Sequence, residues 1–345
     1  MQRHAAQLLD DYRIWFKVTF QRGRILKTRG DDWMAYDDTA HFADPAGFFK
    51  VNGTPADISR SEVKSTPLAD VSRFEFASPH EINHYGWHET NRAAGWLYRR
   101  KQGSAGVVVL SHGWAHAGLK GLEMIFIEPL LKAGWSVALL AHPFHFDRTP
   151  VGTFSGEMMV TGDVSLTVEA FRQSVADLSA VVTWLGRDRP AGDGPVGLMG
   201  YSLGGYTAAL LACARGDLDF VVIGAAGDSV ASVILDTGLG VNVREDLSWS
   251  GMHERQNLAR AWGVISPGRM RPRVPRERIL LVSGLHDRIM LPASVEALRQ
   301  AWGEPPMQWE PQGHYSLLAF PGRLVRRSLP FLATRLAGQP ARAGA

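Results

Sequence analysis

The sequence predicts an α/β fold, with a mostly parallel central sheet, helices on both faces and a helical insertion after the sixth core strand. Three observations carry this expectation. Apolar runs such as GVVVL (106–110) and RILLV (278–282) lack polar alternation, as strands buried on both faces do. Segments of helical period lie between these runs, so strand and helix alternate along the chain. One serine stands between two glycines, where an apolar run meets an alanine-rich helix, in VGLMGYSLGGYTAALLACA (196–214).

Residues 1–70 read as a helical or irregular extension. The first thirty carry Leu8, Leu9, Tyr12, Trp15, Phe16 and Phe20, interleaved with Arg13, Lys17, Arg22, Arg24 and Lys27. A helix packed on the body of the protein is the preferred reading. The sharper one is a basic, aromatic helix in weak contact with a membrane surface. The main domain follows over 71–335. VSRFEFASP alternates apolar and polar residues as a half-buried strand does, and AGWLYRRK reads as its neighbour. GVVVLSHG, WSVALLAHP, PVGLMGYS, FVVIGAAGD and RILLVSGLHD read as buried strands, and a short one precedes WEPQGHYS. The helices expected between them are GLEMIFIEPLLKAG, LTVEAFRQSVADLSAVVTWLG, LGGYTAALLACARG and ASVEALRQAWG. Residues 229–277 are too many for a plain connection. They read as the insertion, covering one edge of the site, with Trp249, Met252 and Trp262 in its own core. Residues 336–345 read as a flexible tail.

Composition narrows the function classes. The formal charge is only +3, and no basic block accompanies it, so a nucleic-acid partner is not expected. The single cysteine, Cys213, excludes an internal disulfide and a multi-thiolate metal site. No apolar run reaches the roughly 20 residues of a membrane span. Asp10 and Asp11 stand where a signal peptide would place its apolar core, so a soluble, cytoplasmic protein is expected. Oligomeric state is not legible.

Gly200-Tyr201-Ser202-Leu203-Gly204 is a G-x-S-x-G stretch between a strand and a helix, the context a nucleophile elbow needs. The sharp turn would present the Ser202 hydroxyl above the sheet. The helix N-terminus would lend positive charge to an oxyanion. Asp287 follows one later strand and His314 another, which gives the order Ser, Asp, His that this elbow requires. Ser202 is thus expected as nucleophile, His314 as base and Asp287 as its orienting acid, with Asp287 preferred to Asp228. The loop after GVVVL contains Ser111, His112, Gly113 and Trp114. The amides of Trp114 and Leu203 are the expected oxyanion hole. His112, Gly113, Tyr201, His142, His145 and Asp228 are expected as pocket wall or as support for the catalytic groups. A metal site on His142, His145 and Asp147 is disfavoured, and no cofactor is expected. Arg148 is expected in a surface ion pair.

These motifs resemble the serine hydrolases of the α/β-hydrolase superfamily over about 70–335. More narrowly, LTVEAF, LMGYSLGGYTAALL, ASVEALRQAWG…WEPQGHYSLLAF, AHPFHFDRTPVG and DYRIWFKVTFQRGRIL are similar to abhydrolase domain-containing family 18. The resemblance implies cofactor-independent cleavage of a carboxylic ester or related acyl bond in a small-molecule or lipid-like substrate. Acyltransferase, thioesterase and lactonase chemistry would use the same triad. A non-catalytic binding protein on this scaffold is the rival from another class. An oligopeptidase is not expected, because the first 70 residues are too few for a screening propeller.

Overall fold

A computed structural model describes residues 2–23, 25–28, 32–37, 39–51, 57–187, 194–318 and 322–337. Among the described residues its centre is one nine-stranded sheet. The strands are β1 (Ser59–Ser65), β2 (Ala69–Ala77), β3 (Arg92–Arg100), β4 (Val107–Ser111), β5 (Ser136–Leu140), β6 (Val196–Tyr201), β7 (Val221–Gly224), β8 (Ile279–Gly284) and β9 (Met307–Glu310). Their spatial order is β1-β2-β3-β5-β4-β6-β7-β8-β9. The pairs β1–β2, β2–β3 and β3–β5 are antiparallel, and every later pair is parallel.

Burial explains the split. Every residue of β4, β5, β6, β7 and β8 is buried, which requires cover on both faces and matches their unbroken apolar sequences. The helix Val164–Arg187 is buried along most of its length and packs against β4, β5 and β6. The helix Leu203–Ala214 is buried at every position, so its sequence is apolar all round rather than striped. Cys213 is within it, fully buried.

Three details differ from the sequence reading. First, the stretch to residue 70 is not all helical or irregular. SRSEVKS forms β1, exposed at every residue and held through its ladder with β2. An edge strand with no buried face leaves no apolar pattern to read. Second, Arg148 is buried. It pairs with Asp177 at 2.8 Å and donates to the carbonyls of Ala141 and Thr90. Third, Trp249 is exposed beneath the Lys27 ammonium, whereas Met252 and Trp262 are buried. Arg24 and residues 338–345 of the expected tail lie outside the described residues.

The N-terminal helix Gln2–Phe20 packs on the short helix His314–Leu318 and on the turn Gly238–Gly240 of the insertion. Asn242 Nδ2 donates to Val18 O at 3.0 Å, and Arg22 pairs with Asp246 at 3.0 Å. Its other face leaves Leu8, Tyr12, Trp15 and Phe20 exposed.

Candidate active site

β6 and the helix Leu203–Ala214 meet at Ser202, whose backbone has φ 57° and ψ −117°. Positive φ at a residue with a side chain is strained and needs surrounding structure to hold it. The Ser202 N–H donates to Gly224 O at 2.8 Å, and Ser202 O accepts from Tyr206 N at 3.0 Å. Contact geometry dictates the flanking glycines. A Cβ on Gly200 would lie 2.0 Å from Gly204 O, and one on Gly204 would lie 1.9 Å from Ser111 O. Backbone on both sides leaves nothing to yield.

Asp287 and His314 follow the carboxyl ends of β8 and β9 and converge on this turn. His314 Nε2 lies 3.0 Å from Ser202 Oγ, and His314 Nδ1 lies 2.8 Å from Asp287 Oδ2. The other Asp287 oxygen accepts from the amides of Ile289 (2.8 Å) and Met290 (2.6 Å). With Nδ1–H donating to the carboxylate, Nε2 is the acceptor for the serine proton. The Tyr201 hydroxyl donates to His314 O. Burial pushes that phenol well above its usual range, so it stays a donor.

A carboxylate from the N-terminal helix completes the support. Asp10 Oδ2 accepts from His314 N at 2.7 Å and Arg288 N at 3.2 Å, while Oδ1 accepts from Tyr315 N at 2.9 Å. Asp10 is fully buried. Desolvation raises its pKa, opposed by the Tyr315 and His314 amides, and the Asp287 carboxylate adds to the rise. Gly313 makes this approach feasible, since a Cβ there would sit 2.5 Å from Asp10 Oδ2 and 3.0 Å from Ala6 O. Sequence reasoning read Asp10 only as a break in an apolar core and missed its place in the site. It lies about three hundred residues from its partner, with no motif around it.

The loop after β4 is pinned by neutral histidines. His145 Nδ1–H donates to Pro143 O at 2.8 Å, so His145 Nε2 accepts the Ala115 N–H at 3.1 Å. His112 Nδ1–H donates to Gly113 O at 2.7 Å, and its Nε2 accepts His142 N–H at 3.1 Å. His142 Nε2 meets Ser111 Oγ at 2.9 Å. Trp114 Nε1 donates to Gly156 O at 2.7 Å. Burial holds His112 and His142 well below the usual imidazole value, His116 at about 4 and His145 at about 3. The acceptor roles of His112 and His145 require that neutrality. Among the described residues, neither the Trp114 nor the Leu203 backbone N–H meets a protein acceptor. No group of three His, Cys, Asp or Glu is set to hold a metal ion among the described residues.

Known proteins give this geometry a context. The family model for the X-Pro dipeptidyl-peptidase (S15 family) matches residues 151–262, which include the elbow and much of the insertion. The uncharacterized protein Rv2627c of Mycobacterium tuberculosis is 29% identical over 198 residues, covering 57% of this chain and 45% of its own. The chain therefore spans about half the length of that relative. The uncharacterized protein YdjC of Bacillus subtilis is 26% identical over 103 residues, covering 30% of this chain and 88% of its own. Acetyl xylan esterase 1 from Thermoanaerobacterium sp. JW/SL YS485 superposes with a TM-score of 0.61 at 16% identity, over 92% of this chain and 96% of that one. The acetyl xylan esterase from Paenibacillus sp. R4 gives a TM-score of 0.57 at 14% identity, over 85% of this chain and 92% of that one. This chain has the α/β-hydrolase fold.

Two cavities of the α/β-hydrolase domain share Ser202. One is apolar, lined by Trp114, Phe171, Leu203, Tyr206, Val230 and Met290 among others, and encloses about 460 Å³ including the part open to solvent. The other is a wider cleft of about 1280 Å³ by the same measure, lined by His314, Tyr315, Gly113, His116, Arg13 and Lys17 among others. The structure brings Ser202, Tyr201, Gly113, Trp114, Leu203, Asp287 and His314 together. His112, His142 and His145 stand behind the loop as its supports. Asp228, expected beside the pocket, lines neither cavity. Its carboxylate accepts the Ser294 hydroxyl at 2.6 Å, and its carbonyl accepts Gly268 N at 2.9 Å. It ties the insertion to the helix Pro292–Ala301. The Asp228 carboxylate is engaged by Ser294 and not by His314, and that is why the second acid falls outside the site.

Proposed function

We propose that the chain is a serine carboxylic-ester hydrolase working through an acyl-enzyme. The observation that carries this is the unbroken chain Asp287–His314–Ser202 on a strained elbow, with hydrogen bonds of 2.8 and 3.0 Å. Ser202 Oγ attacks the acyl carbonyl while His314 Nε2 takes its proton, and Asp287 steadies the imidazolium. The carbonyl oxygen becomes an oxyanion, held by the Trp114 and Leu203 amides. The carbon–oxygen bond to the alcohol breaks, and His314 returns the proton to the departing oxygen. Water then attacks the acyl-enzyme with His314 again as base, which releases the acid and restores Ser202. Each part has a partner in this geometry, which favours catalysis over a binding role on the same scaffold.

The apolar cavity would hold the acyl group. Its narrow, almost wholly apolar space favours short acyl chains. The insertion supplies Val230, Val233, Ile234 and Leu239 to its wall, the role of a lid. The narrower kinship with abhydrolase domain-containing family 18 rests on the sequence stretches alone. Acyl transfer, thioester or lactone cleavage would use the same groups and differ in the acceptor or leaving atom.

The match to the X-Pro dipeptidyl-peptidase model favours a second reading, cleavage of an amide next to proline. Release of an N-terminal dipeptide requires recognition of an α-ammonium, for which a carboxylate is the natural partner. The cleft beside Ser202 presents Arg13 and Lys17 and no acid among its described lining residues, so the ester reading is preferred.

The test is intact mass after exposure to a fluorophosphonate, followed by an ester series graded by acyl length. A single adduct is expected on the parent and none on Ser202→Ala, whose turnover should fall by at least about 10⁴-fold. Labelling that survives the substitution, or turnover of a Gly-Pro anilide in preference to every ester, would overturn the reading.

A further inference from the structure

We infer that the Ser202 cleft selects esters whose alcohol portion carries an anionic group, a carboxylate or a phosphate, bound between Arg13 and Lys17. The inference rests on the hydrolase reading for the reaction itself. Its observations are independent of that reading.

Arg13 and Lys17 are four residues apart on the N-terminal helix, so they share a face. That face looks into the cleft with His314, Tyr315 and Ser202. The Arg13 guanidinium lies over the Tyr315 ring, 4.9 Å from its centroid, and the Lys17 ammonium lies over Trp114 at 5.0 Å. Neither cation pairs with a carboxylate among the described residues. The acids nearby are committed elsewhere. Asp10 holds backbone amides, and Asp11 pairs with Arg288 at 2.7 Å. Glu157 and Asp246, which line a neighbouring cavity that Lys17 also borders, bond to Phe154 N and to Arg22. His116, beside them, is held neutral by burial.

Like charges at this helical spacing repel, and half-burying an ammonium without a counter-charge is unfavourable. Both effects lower the Lys17 pKa, to about 8, burial being the larger. An anion in the cleft would remove both penalties at once. The side on which it sits follows from the chemistry. The base that deprotonates Ser202 must later protonate the departing alcohol. His314 lines the Arg13–Lys17 cleft and does not line the apolar cavity. The leaving group therefore occupies the cationic cleft, and the acyl group the apolar one.

The experiment compares the acetyl esters of 3-hydroxyphenylacetate and of 3-hydroxyphenylacetamide, whose phenolic leaving groups are alike and whose charges differ. The parent should favour the carboxylate by about tenfold in kcat/KM at low salt, as one charge-assisted contact provides, and the preference should shrink as salt rises. Lys17→Met, which keeps an unbranched side chain without the charge, should bring the ratio close to one. Lys17→Arg should restore it. Equal rates for the two esters in the parent, or a preference indifferent to Lys17→Met, would overturn the inference while leaving the hydrolase reading intact. Calorimetry on Ser202→Ala gives a readout without turnover. Binding of phenylacetate or phenyl phosphate, abolished by adding Lys17→Met, supports the subsite and tells which anion it prefers. Absence of both refutes it, even if neither ester is cleaved.

Discussion

Asp10 offers the sharpest test of how the site is held together. Its carboxylate accepts three backbone N–H groups, two of them from His314 and Tyr315, at the start of the short helix that carries the proposed base. Those amides cannot be satisfied within the helix, because its first turn has no preceding carbonyls to offer. Asp10→Ala leaves three buried donors unpaired. At about 1.5–3 kcal/mol for each charge-assisted bond, less what repacking and water recover, the loss should come to roughly 3–5 kcal/mol of stability. Asp10→Asn keeps the volume and one acceptor oxygen but turns an NH₂ toward at least one donor, which should cost about 2–3 kcal/mol.

Activity should fall beyond what stability explains. His314 Nε2 is 3.0 Å from Ser202 Oγ, already at the ordinary length for such a bond. A shift near 1 Å in the backbone of His314 would break that contact, and misplacement of this size costs about 100-fold in rate. Folded Asp10→Asn should therefore lose 10- to 100-fold in kcat and in fluorophosphonate labelling, with KM little changed, because Asp10 lines neither cavity at Ser202. Chemical denaturation, near-ultraviolet circular dichroism and labelling kinetics on the same samples separate the two effects. A folded variant with kcat within twofold of the parent would refute the argument that the amide clasp positions His314.

Other expectations follow from the same geometry. Asp287→Asn should reduce kcat by about 10³- to 10⁴-fold, whereas Asp228→Asn, whose amide oxygen still accepts the Ser294 hydroxyl, should stay within about threefold; steady-state kinetics of the pair decides, and the reverse ranking would exchange the acids. Gly204→Ala drives a Cβ to 1.9 Å from Ser111 O and should destabilise by about 3 kcal/mol or more, read by urea denaturation. His112, His142 and His145 bind protons more weakly folded than unfolded, so their contribution is fully present above about pH 6.5 and is lost as pH falls toward their folded values, about 3 for His145. Between pH 6 and pH 5 His145 should remove about 1 kcal/mol, with His112 and His142 acting in the same direction, and a flat denaturation midpoint over that interval would contradict their burial as neutral groups.

What the sequence disclosed was local or periodic. Buried strands such as VVVLS and ILLVSG announce themselves by unbroken apolar runs, and the elbow by glycines that pack against backbone. The order of Ser202, Asp287 and His314 is readable because each follows a strand that the apolar pattern already marks. What stayed hidden depends on contacts between distant segments. β1 buries no side chain and leaves no pattern. Arg148 looks like a surface charge until Asp177 and two carbonyls surround it. The roles of His112 and His145 as acceptors of backbone N–H depend on which nitrogen already donates, and no spacing rule reports that.

The N-terminal helix shows why calling it an extension misjudges the site. Asp10, Arg13 and Lys17 fall three and four residues apart, the spacing of one helical face. Asp10 reaches the amides of His314, and the two cations reach the cleft beside Ser202. Leu8, Tyr12 and Trp15 repeat at the same spacing on the opposite face and stay exposed. Gly313 is the joint that makes this work, since any side chain there would collide with Asp10 Oδ2 and Ala6 O. The helix thus does two jobs with one surface. It terminates a helix that cannot terminate itself, and it walls a cleft that the sheet and the insertion leave open. Loss of the clasp would move the base and the cationic wall together. The proposed anion selection and the alignment of His314 would therefore be coupled through a single element outside the strands that define the fold.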